Sequence, residues 1–219
     1  MRSSGWTVSV LMADGEFAEA HTGTTPFNAR ADALLASARM ICLSHKAASN
    51  YDGALASTGI LTLSPGSVNT IPGRVKFSLD IRAPTDKTLD NLEKHLRSDF
   101  DEVVSDASAN GQKLSISWQT DSISPAIHFH DQCIEAVRDS ATAVLGDESL
   151  AREMISGAGH DSVYASRRCP TSMIFVPSRD GISHNPKEYT SPEDCAIGAD
   201  VLMQSVLRYD RQRVAARDV

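Results

Sequence analysis

Residues 74–82 read RVKFSLDIR, and apolar and polar side chains alternate along this stretch without a break. Successive side chains of a β-strand point to opposite faces, so strict alternation predicts a strand with one dry face and one wet face. The dry face is expected to carry four residues: Val75, Phe77, Leu79 and Ile81. Arg82 closes the wet face. This strand is the centre from which the first half of the chain can be interpreted.

Strand and helix patterns surround it on both sides. Residues 6–12 and 55–63 before it, and residues 113–119 after it, have strand patterns. Residues 29–46, and a second stretch from about residue 86, repeat apolar side chains at helical spacing. The resulting order over residues 1–124, β-α-β-β-α-β, predicts an α+β fold of ferredoxin-like type, an antiparallel sheet with two helices on one face.

Four of these elements also carry a prediction of which face is buried. In the second helix, the stripe is expected to be Leu89, Leu92, Leu96, Phe100, Val103 and Val104. In the strand at residues 113–119, the dry face is expected to be Leu114, Ile116 and Trp118. In the strand at residues 6–12, the buried side chains are expected to be Trp6, Val8, Val10 and Met12. In the first helix, the stripe is expected to be Leu34, Leu35, Ala38, Ile41, Cys42 and His45.

Residues 125–219 follow a different pattern. A helix is expected over residues 131–145, ending at Gly146, and another from Ser191 to about Tyr209, followed by a frayed charged tail. Between them TSMIFVP, residues 171–177, is a continuous apolar run typical of a strand covered on both faces. One strand and two helices do not make a sheet, so we interpret residues 125–219 as the C-terminal part of an α/β domain whose N-terminal part is absent.

Composition excludes some classes of function. The 219 residues are 41% hydrophobic and carry a formal net charge of −7, which allows a core and argues against nucleic acid as a partner. No apolar run is long enough for a signal peptide or a membrane span, so a cytoplasmic protein is expected. The four cysteines have no metal-site spacing and are interpreted as buried, reduced thiols: Cys42, Cys133, Cys169 and Cys195.

Two histidines in the second half are candidates for chemistry. His184 lies in the loop after the apolar run, where open α/β sheets bind ligands, and a neutral imidazole can hold a metal. A solvated loop histidine is the alternative. His160 follows glycines in SGAGHD, which lets backbone approach a ligand, although a tight turn explains it equally well. A serine nucleophile, Ser156 with His160 and Asp161, is a minor alternative, because no G-x-S-x-G elbow is present.

Three candidates lie in the first half. Arg82 has the geometry to clamp a carboxylate, or it belongs to a solvated strand face. His21 precedes Thr-Gly-Thr-Thr-Pro, and Asn69 precedes Ile-Pro-Gly; both are also ordinary turn formers.

Four segments in this order resemble one known family. They are EAHTGTTPFNARADAL, PGSVNTIPGRVKFSLDIR, SGAGHD and FVPSRDGISHNPKEYT. They are similar to the zinc-dependent amidohydrolases of the hydantoinase/carbamoylase group, in the aminoacylase and carboxypeptidase superfamily. That group includes N-carbamoyl-L-amino-acid hydrolase, β-ureidopropionase and allantoate amidohydrolase. The resemblance implies a lid and dimerisation domain at residues 1–124 and the C-terminal part of a zinc-peptidase-like catalytic domain at residues 125–219.

The resemblance also implies roles for individual residues. His184 matches a metal ligand, and His21 matches a lid histidine that enters the partner subunit's site in a homodimer and stabilises the transition state. Residues implied to bind substrate are Asn69, Arg82, Gly157, Ala158, Gly159 and His160. The implied substrate is a small N-carbamoyl or ureido acid, with zinc or manganese as the metal.

Departures from the family qualify this expectation. The family's other metal ligands and its general base lie in a segment that has no counterpart among these residues, and Thr22 stands where a small residue is usual. Metal-assisted hydrolysis needs both an activated water and a base, so this chain alone is expected to be inactive and not to retain the metal. The alternative is a non-catalytic dimerisation or binding module derived from the family.

Overall fold

The computed structural model describes residues 2–3, 5–15 and 19–215, with side chains described from residue 19 to residue 215. The chain divides into two compact units, an N-terminal unit, Ser4–Ala126, and a C-terminal unit, Ile127–Val219 with Met1–Ser3. The strands are β1 (Arg2–Ser3), β2 (Gly5–Gly15), β3 (Ala20–His21), β4 (Leu55–Ser57), β5 (Leu61–Ser64), β6 (Thr70–Ile71), β7 (Arg74–Ala83), β8 (Leu114–Ser124), β9 (Ile127–His128) and β10 (Ile155–Ser156). The α-helices are α1 (Ala33–Ala48), α2 (Asp86–Asn110), α3 (Asp131–Leu145), α4 (Asp161–Ser166) and α5 (Pro192–Ala215).

The main sheet of the N-terminal unit is built around β7. Its order is β4-β7-β2-β8, β5 also pairs with β7, and every neighbouring pair is antiparallel. The single strand expected at residues 55–63 is therefore two short strands. The interruption has a local cause, because the backbone N–H groups of Gly59 and Ile60 donate to Oγ of Ser78 at 3.2 and 3.0 Å.

The core of this unit confirms the alternation of residues 74–82. Val75, Phe77, Leu79 and Ile81 are each at most 2% exposed. The apolar stripe of α2 covers them, and Phe100 stacks on Trp118 with ring centroids 5.3 Å apart. Helix α2 begins where Thr85 accepts a hydrogen bond from the backbone N–H of Thr88 at 3.1 Å, an N-cap arrangement that satisfies an otherwise unpaired donor.

Helix α1 presents the expected face only in part. Leu34 and Ile41 of the expected stripe are half-buried against the core, but Leu35 is 56% exposed, and Ala38, Cys42 and His45 are also exposed. The buried face consists mainly of small side chains: Ala33, Ala36, Ser37, Met40, Ser44, Ala47 and Ala48. Small side chains let a helix lie close to its neighbours, and the tight fit outweighs the larger apolar area of the leucines. The strand expected at residues 6–12 is present as β2; the face predicted for Trp6, Val8, Val10 and Met12 concerns side chains outside the described part.

The C-terminal unit has a small sheet of order β10-β1-β9 and two long helices, α3 and α5, that pack together. Helix α3 has the bounds expected from the sequence, and Gly146 ends it with φ of 70°, a left-handed conformation that favours glycine. Helix α5 extends to Ala215 rather than ending near Tyr209. Residues 210–215 contain neither glycine nor proline, so nothing local ends the helix where a frayed tail was expected.

Residues 171–177 are not a paired strand, contrary to the sequence prediction. The segment has no ladder partner within the described chain, and Phe175 and Val176 are exposed. A β-strand is defined by backbone hydrogen bonds to a neighbouring strand. The apolar run predicts that the segment is buried, but it does not provide the neighbouring strand.

The thiols are free, as expected, but less buried than expected. Cys42, Cys169 and Cys195 are exposed and Cys133 is half-buried, and all four are free rather than disulfide-bonded. Within the part of the chain that the structure describes, no helix is long and apolar enough to cross a membrane.

Candidate functional site

His21 and Asn69 are brought together in the N-terminal unit. They lie on adjoining parts of the β3–β6 pair, in which His21 is opposite Thr70 and the N–H of Thr22 donates to the carbonyl of Asn69 at 3.0 Å. Both side chains are exposed. The two short strands thus bring the backbones of His21 and Asn69, 48 residues apart in sequence, one ladder step from each other.

The local backbone selects the tautomer of His21. Its Nδ1 accepts a hydrogen bond from the N–H of Gly23 at 3.1 Å, so in the neutral ring the proton lies on Nε2. A Cβ at Gly23 would lie 3.3 Å from the ring, so glycine allows the loop to close on the imidazole. His21 therefore presents a hydrogen-bond donor away from the loop, which is the form needed to stabilise negative charge on a ligand.

Asn69 is oriented by Ser67, whose hydroxyl donates to Oδ1 at 2.8 Å. Arg30 supports the loop from the other side, donating from Nη2 to the carbonyl of Thr22 at 2.7 Å and from Nε to that of Thr25 at 2.9 Å. Neither supporting residue was identified from sequence. Arg30 lies within the segment that resembles the family, but its role depends on a fold in which its side chain returns to a loop eight residues earlier.

Arg82 lies on the face of β7 opposite the core and is half-buried. Its Nε and Nη2 donate to the carboxylate of Asp80, the latter at 2.6 Å. The hydrogen bond to Asp80 is the main cause that raises the pKa of Arg82, and the nearby negative charge adds to it, against a lowering by burial. Asp80 thus holds the guanidinium in one orientation, as a positioning residue for a carboxylate clamp would.

In the C-terminal unit, Ser156 and His160 form a close pair. Oγ of Ser156 lies 2.6 Å from Nε2 of His160 and accepts a hydrogen bond from the N–H of Ala158 at 3.2 Å. The ring of His160 also meets Phe175 edge-on, with centroids 5.6 Å apart. These contacts fix the conformation of the Gly157–Gly159 loop, whose three residues are exposed. Ser156 itself is only 8% exposed, and its hydroxyl contacts both the imidazole of His160 and the backbone of the loop.

His184 is held by its own loop. Its backbone has φ of 55°, and its N–H donates to the carboxylate of Glu188 at 2.8 Å. The loop closes further through the N–H of Arg179, which donates to the carbonyl of Tyr189 at 2.8 Å. The imidazole is exposed, and no described contact joins it to His160.

The described residues do not by themselves form a metal site. No group of three or more His, Cys, Asp or Glu side chains with suitable spacing occurs among residues 2–3, 5–15 and 19–215. Catalytic zinc usually has three protein ligands, so His184 fits as one ligand of a set rather than as a site.

Comparison with known proteins identifies the family. The pattern that defines peptidase family M20/M25/M40 matches residues 8–208. The chain belongs to peptidase family M20/M25/M40. It is 35% identical over 192 residues to N-carbamoyl-L-amino-acid amidohydrolase of Rhizobium meliloti, covering 86% of this chain and 44% of that protein. It is 34% identical over 196 residues to allantoate amidohydrolase of Bacillus subtilis, covering 83% and 42%.

Solved structures agree with the sequence relatives. A hydantoinase/carbamoylase family amidase from Burkholderia multivorans superimposes with a TM-score of 0.83 at 34% identity, covering 94% of this chain and 48% of that one. The resemblance identified from the four segments is thereby confirmed. The chain spans somewhat under half the length of the relatives it matches.

Proposed function

We propose that this chain forms part of a metal-dependent amidohydrolase that cleaves the linear C–N bond of N-carbamoyl or ureido acids. The observation that carries the proposal is the β3–β6 pairing, which sets His21 opposite Thr70 and joins the next residue, Thr22, to the carbonyl of Asn69, in a chain whose residues 8–208 match the family. The amide of Asn69 and the Nε2–H of His21 are hydrogen-bond donors, which suit a substrate rich in carbonyl and carboxylate oxygens.

The roles we assign follow the chemistry of each group. Arg82, oriented by Asp80, binds the substrate carboxylate; Asn69 and the Gly157–His160 loop contact the rest of the substrate. His21 stabilises charge in the transition state, acting across a homodimer in which the N-terminal unit is a ferredoxin-like lid. The antiparallel order β4-β7-β2-β8 supports that description of the lid. His184 is one ligand of a zinc or manganese site, and no catalytic step is assigned to the metal because the described residues do not complete its ligand set.

We expect the purified 219-residue protein to be inactive. After dialysis, elemental analysis should find far less than one zinc or manganese per chain, and N-carbamoyl amino acids should not be turned over when either metal is added back. One metal per chain together with turnover would contradict this expectation, and so would turnover alone.

The residue roles can be tested in a hybrid enzyme. Residues 8–208 of this chain would replace the matched segment of the Rhizobium meliloti relative. We expect a hybrid that hydrolyses N-carbamoyl-L-amino acids and loses about 10²-fold or more in kcat/KM with Arg82→Ala or His21→Ala, since each removes a charged or oriented donor. His45→Ala, at an exposed histidine on α1, is the control and should have little effect. A folded but inactive hybrid would favour the non-catalytic binding module.

A further inference from the structure

The backbone of His184 has a conformation that residues with a side chain seldom adopt. Its φ of 55° lies in the left-handed region, which Asp180 is the only other described residue besides glycine to occupy. In that region Cβ crowds the following carbonyl oxygen and costs about 1–2 kcal/mol, so the conformation is kept only where other contacts hold it. The residue that we assign to the metal site therefore depends on support from its neighbours.

Glu188 provides that support through its side chain. The N–H of His184 donates to Oε2 of Glu188 at 2.8 Å. A hydrogen bond to an ionised carboxylate is roughly twice as strong as one to a neutral carbonyl oxygen, so it can offset the cost of the left-handed backbone. Among the described residues, this N–H is the only hydrogen-bond partner of the carboxylate.

The backbone of Glu188 is fixed by the same loop. Its N–H donates to the carbonyl of Asn185 at 2.9 Å, and the N–H of Lys187 donates to Oδ1 of Asn185, also at 2.9 Å. The next residue, Tyr189, accepts from the N–H of Arg179 at 2.8 Å, which joins the two ends of the loop. Glu188 therefore extends from a closed turn, and its side chain alone has to be ordered for the carboxylate to accept the hydrogen bond.

We infer that Glu188 is a positioning residue for the metal site. By accepting the N–H of His184, it fixes the backbone from which the imidazole of His184 projects. The inference rests on the proposed function, in which His184 is a metal ligand. Residues that orient a ligand without touching the metal typically change metal affinity 10–100-fold, usually through the second nitrogen of the imidazole. Here the contact is with the backbone of the ligand, so Glu188 acts on the same property by a different route.

The first test uses the intact 219-residue protein without added metal. Hydrogen exchange at the amide of His184, followed by NMR, should be about fivefold or more faster in Glu188→Ala than in the wild type, because the acceptor is gone. Glu188→Gln keeps a carbonyl oxygen in the side chain and should restore most of the protection. Lys187→Ala is the matched control, because Lys187 is the exposed neighbour of Glu188 and both of its hydrogen bonds are made by its backbone.

The second test measures zinc affinity in the hybrid enzyme that carries residues 8–208 of this chain. Zinc is titrated in competition with a chromophoric chelator, no substrate is present, and far-UV circular dichroism checks that each variant folds. Glu188→Ala should raise the Kd for zinc about tenfold or more, whereas Glu188→Gln and Lys187→Ala should stay within about threefold of the parent.

A double substitution distinguishes positioning from a general structural effect. In a His184→Ala background, Glu188→Ala should cause no further loss of zinc affinity, because Glu188 acts through the imidazole of His184. A residue that only stabilised the fold would weaken zinc binding by the same factor in both backgrounds.

Three results would overturn the inference: unchanged exchange at His184 in Glu188→Ala, unchanged zinc affinity in that variant, or an equal loss of affinity in the His184→Ala background. Failure of the proposed function has a different signature. A folded hybrid that binds no zinc would overturn that function and with it the metal role of Glu188, while the exchange experiment, which needs no metal, would still decide whether Glu188 holds the backbone of His184.

Discussion

The two units bury their apolar residues to very different extents. In the N-terminal unit, α1 and α2 cover one face of β7, and a continuous core includes Phe77, Leu92 and Phe100, none of which exposes measurable surface. In the C-terminal unit, few large apolar side chains reach that state, and Leu202, Val206 and Leu207 of α5 are exposed. The difference shows that helix formation and core formation are separate: α5 is regular along its length although much of its apolar surface is uncovered.

The largest expected difference between the units concerns a core aromatic residue. Phe100→Ala should lower the free energy of unfolding by about 3–5 kcal/mol, because it removes contacts with Phe77 and Trp118 and leaves a cavity. Val206→Ala in the C-terminal unit, at a side chain 59% exposed, should change it by less than about 0.5 kcal/mol.

Urea titration measures both values. Trp118 lies in the N-terminal unit, so tryptophan fluorescence follows that unit, while circular dichroism at 222 nm follows the helices of both. A loss below about 1 kcal/mol for Phe100→Ala would mean that the core is loosely packed and the contrast between the units is false.

Glycine positions sharpen the same contrast. A Cβ at Gly111 would lie 2.2 Å from the carbonyl oxygen of Arg30, so Gly111→Ala should cost about 1–3 kcal/mol by forcing the chain after α2 away from that loop. Gly146, which ends α3, has a φ of 70° but no atom within 4 Å of a built Cβ. Gly146→Ala should therefore cost only the left-handed conformation, about 1 kcal/mol.

Hydrogen exchange in α2 and α3 reports the two effects separately. Gly66→Ala is the control, since Gly66 has open space around it and no positive φ. If Gly111→Ala proved no more costly than Gly66→Ala, the close approach of the loop at Arg30 would be wrong.

The sequence predicts the fold of the N-terminal unit better than that of the C-terminal unit. Strict alternation at residues 74–82 and the leucine stripe of α2 predict elements whose neighbours are all within the N-terminal unit, and both are confirmed. Helix α1 was predicted, but only Leu34 and Ile41 of its expected buried face pack against the core. A prediction from apolar periodicity favours leucine over alanine as a buried residue. In the structure the helix lies close to its neighbours, and small residues such as Ala33, Ala36 and Ser37 are buried instead.

The candidate site was predictable as a set of residues and not as a geometry. His21 and Asn69 could be singled out from sequence, but their adjacency depends on pairing of two-residue strands that have no periodic signal. Ser156 was weighed as a nucleophile, and its 2.6 Å contact with His160, which sequence spacing did not indicate, leaves that alternative a prediction. Asp80 was expected only as part of a wet strand face, because nothing in alternation indicates that it pairs with Arg82.

The N-caps of α2 and α5 make the same local hydrogen bond, but α2 belongs to the well-packed N-terminal unit and α5 to the less buried C-terminal unit. Thr85 and Ser191 each accept a hydrogen bond from a backbone N–H three residues later, at 3.1 and 3.0 Å. Thr85→Ala should lower the free energy of unfolding of the N-terminal unit by about 1 kcal/mol. Ser191→Ala should remove a similar local interaction but act mainly by fraying the start of α5.

Two measurements distinguish these outcomes. The fluorescence midpoint in urea should fall for Thr85→Ala and not for Ser191→Ala, while exchange at residues 193–196 should rise only for Ser191→Ala. Thr85→Ser, which keeps a hydroxyl at the cap, is the control and should remain near wild type. A fluorescence shift with Ser191→Ala would show that the two units unfold together.

The smallest expected effect concerns the thiols. Burial is the main cause that raises the pKa of Cys133, against a lowering by a hydrogen bond with Tyr209, whereas Cys42 and Cys195 are exposed. A raised pKa leaves less thiolate at pH 8, so Cys133 should react with iodoacetamide more slowly than either exposed cysteine, by a factor of roughly three or more. Because the pKa of Cys133 is higher in the folded protein, the unfolded chain releases the thiol proton first as pH rises past the ordinary thiol pKa. The free energy of unfolding should therefore fall slightly over that range. Mass spectrometry of single-cysteine variants measures the three rates. Equal rates would mean that α3 and α5 separate readily, and that the C-terminal unit is even more open than its packing indicates.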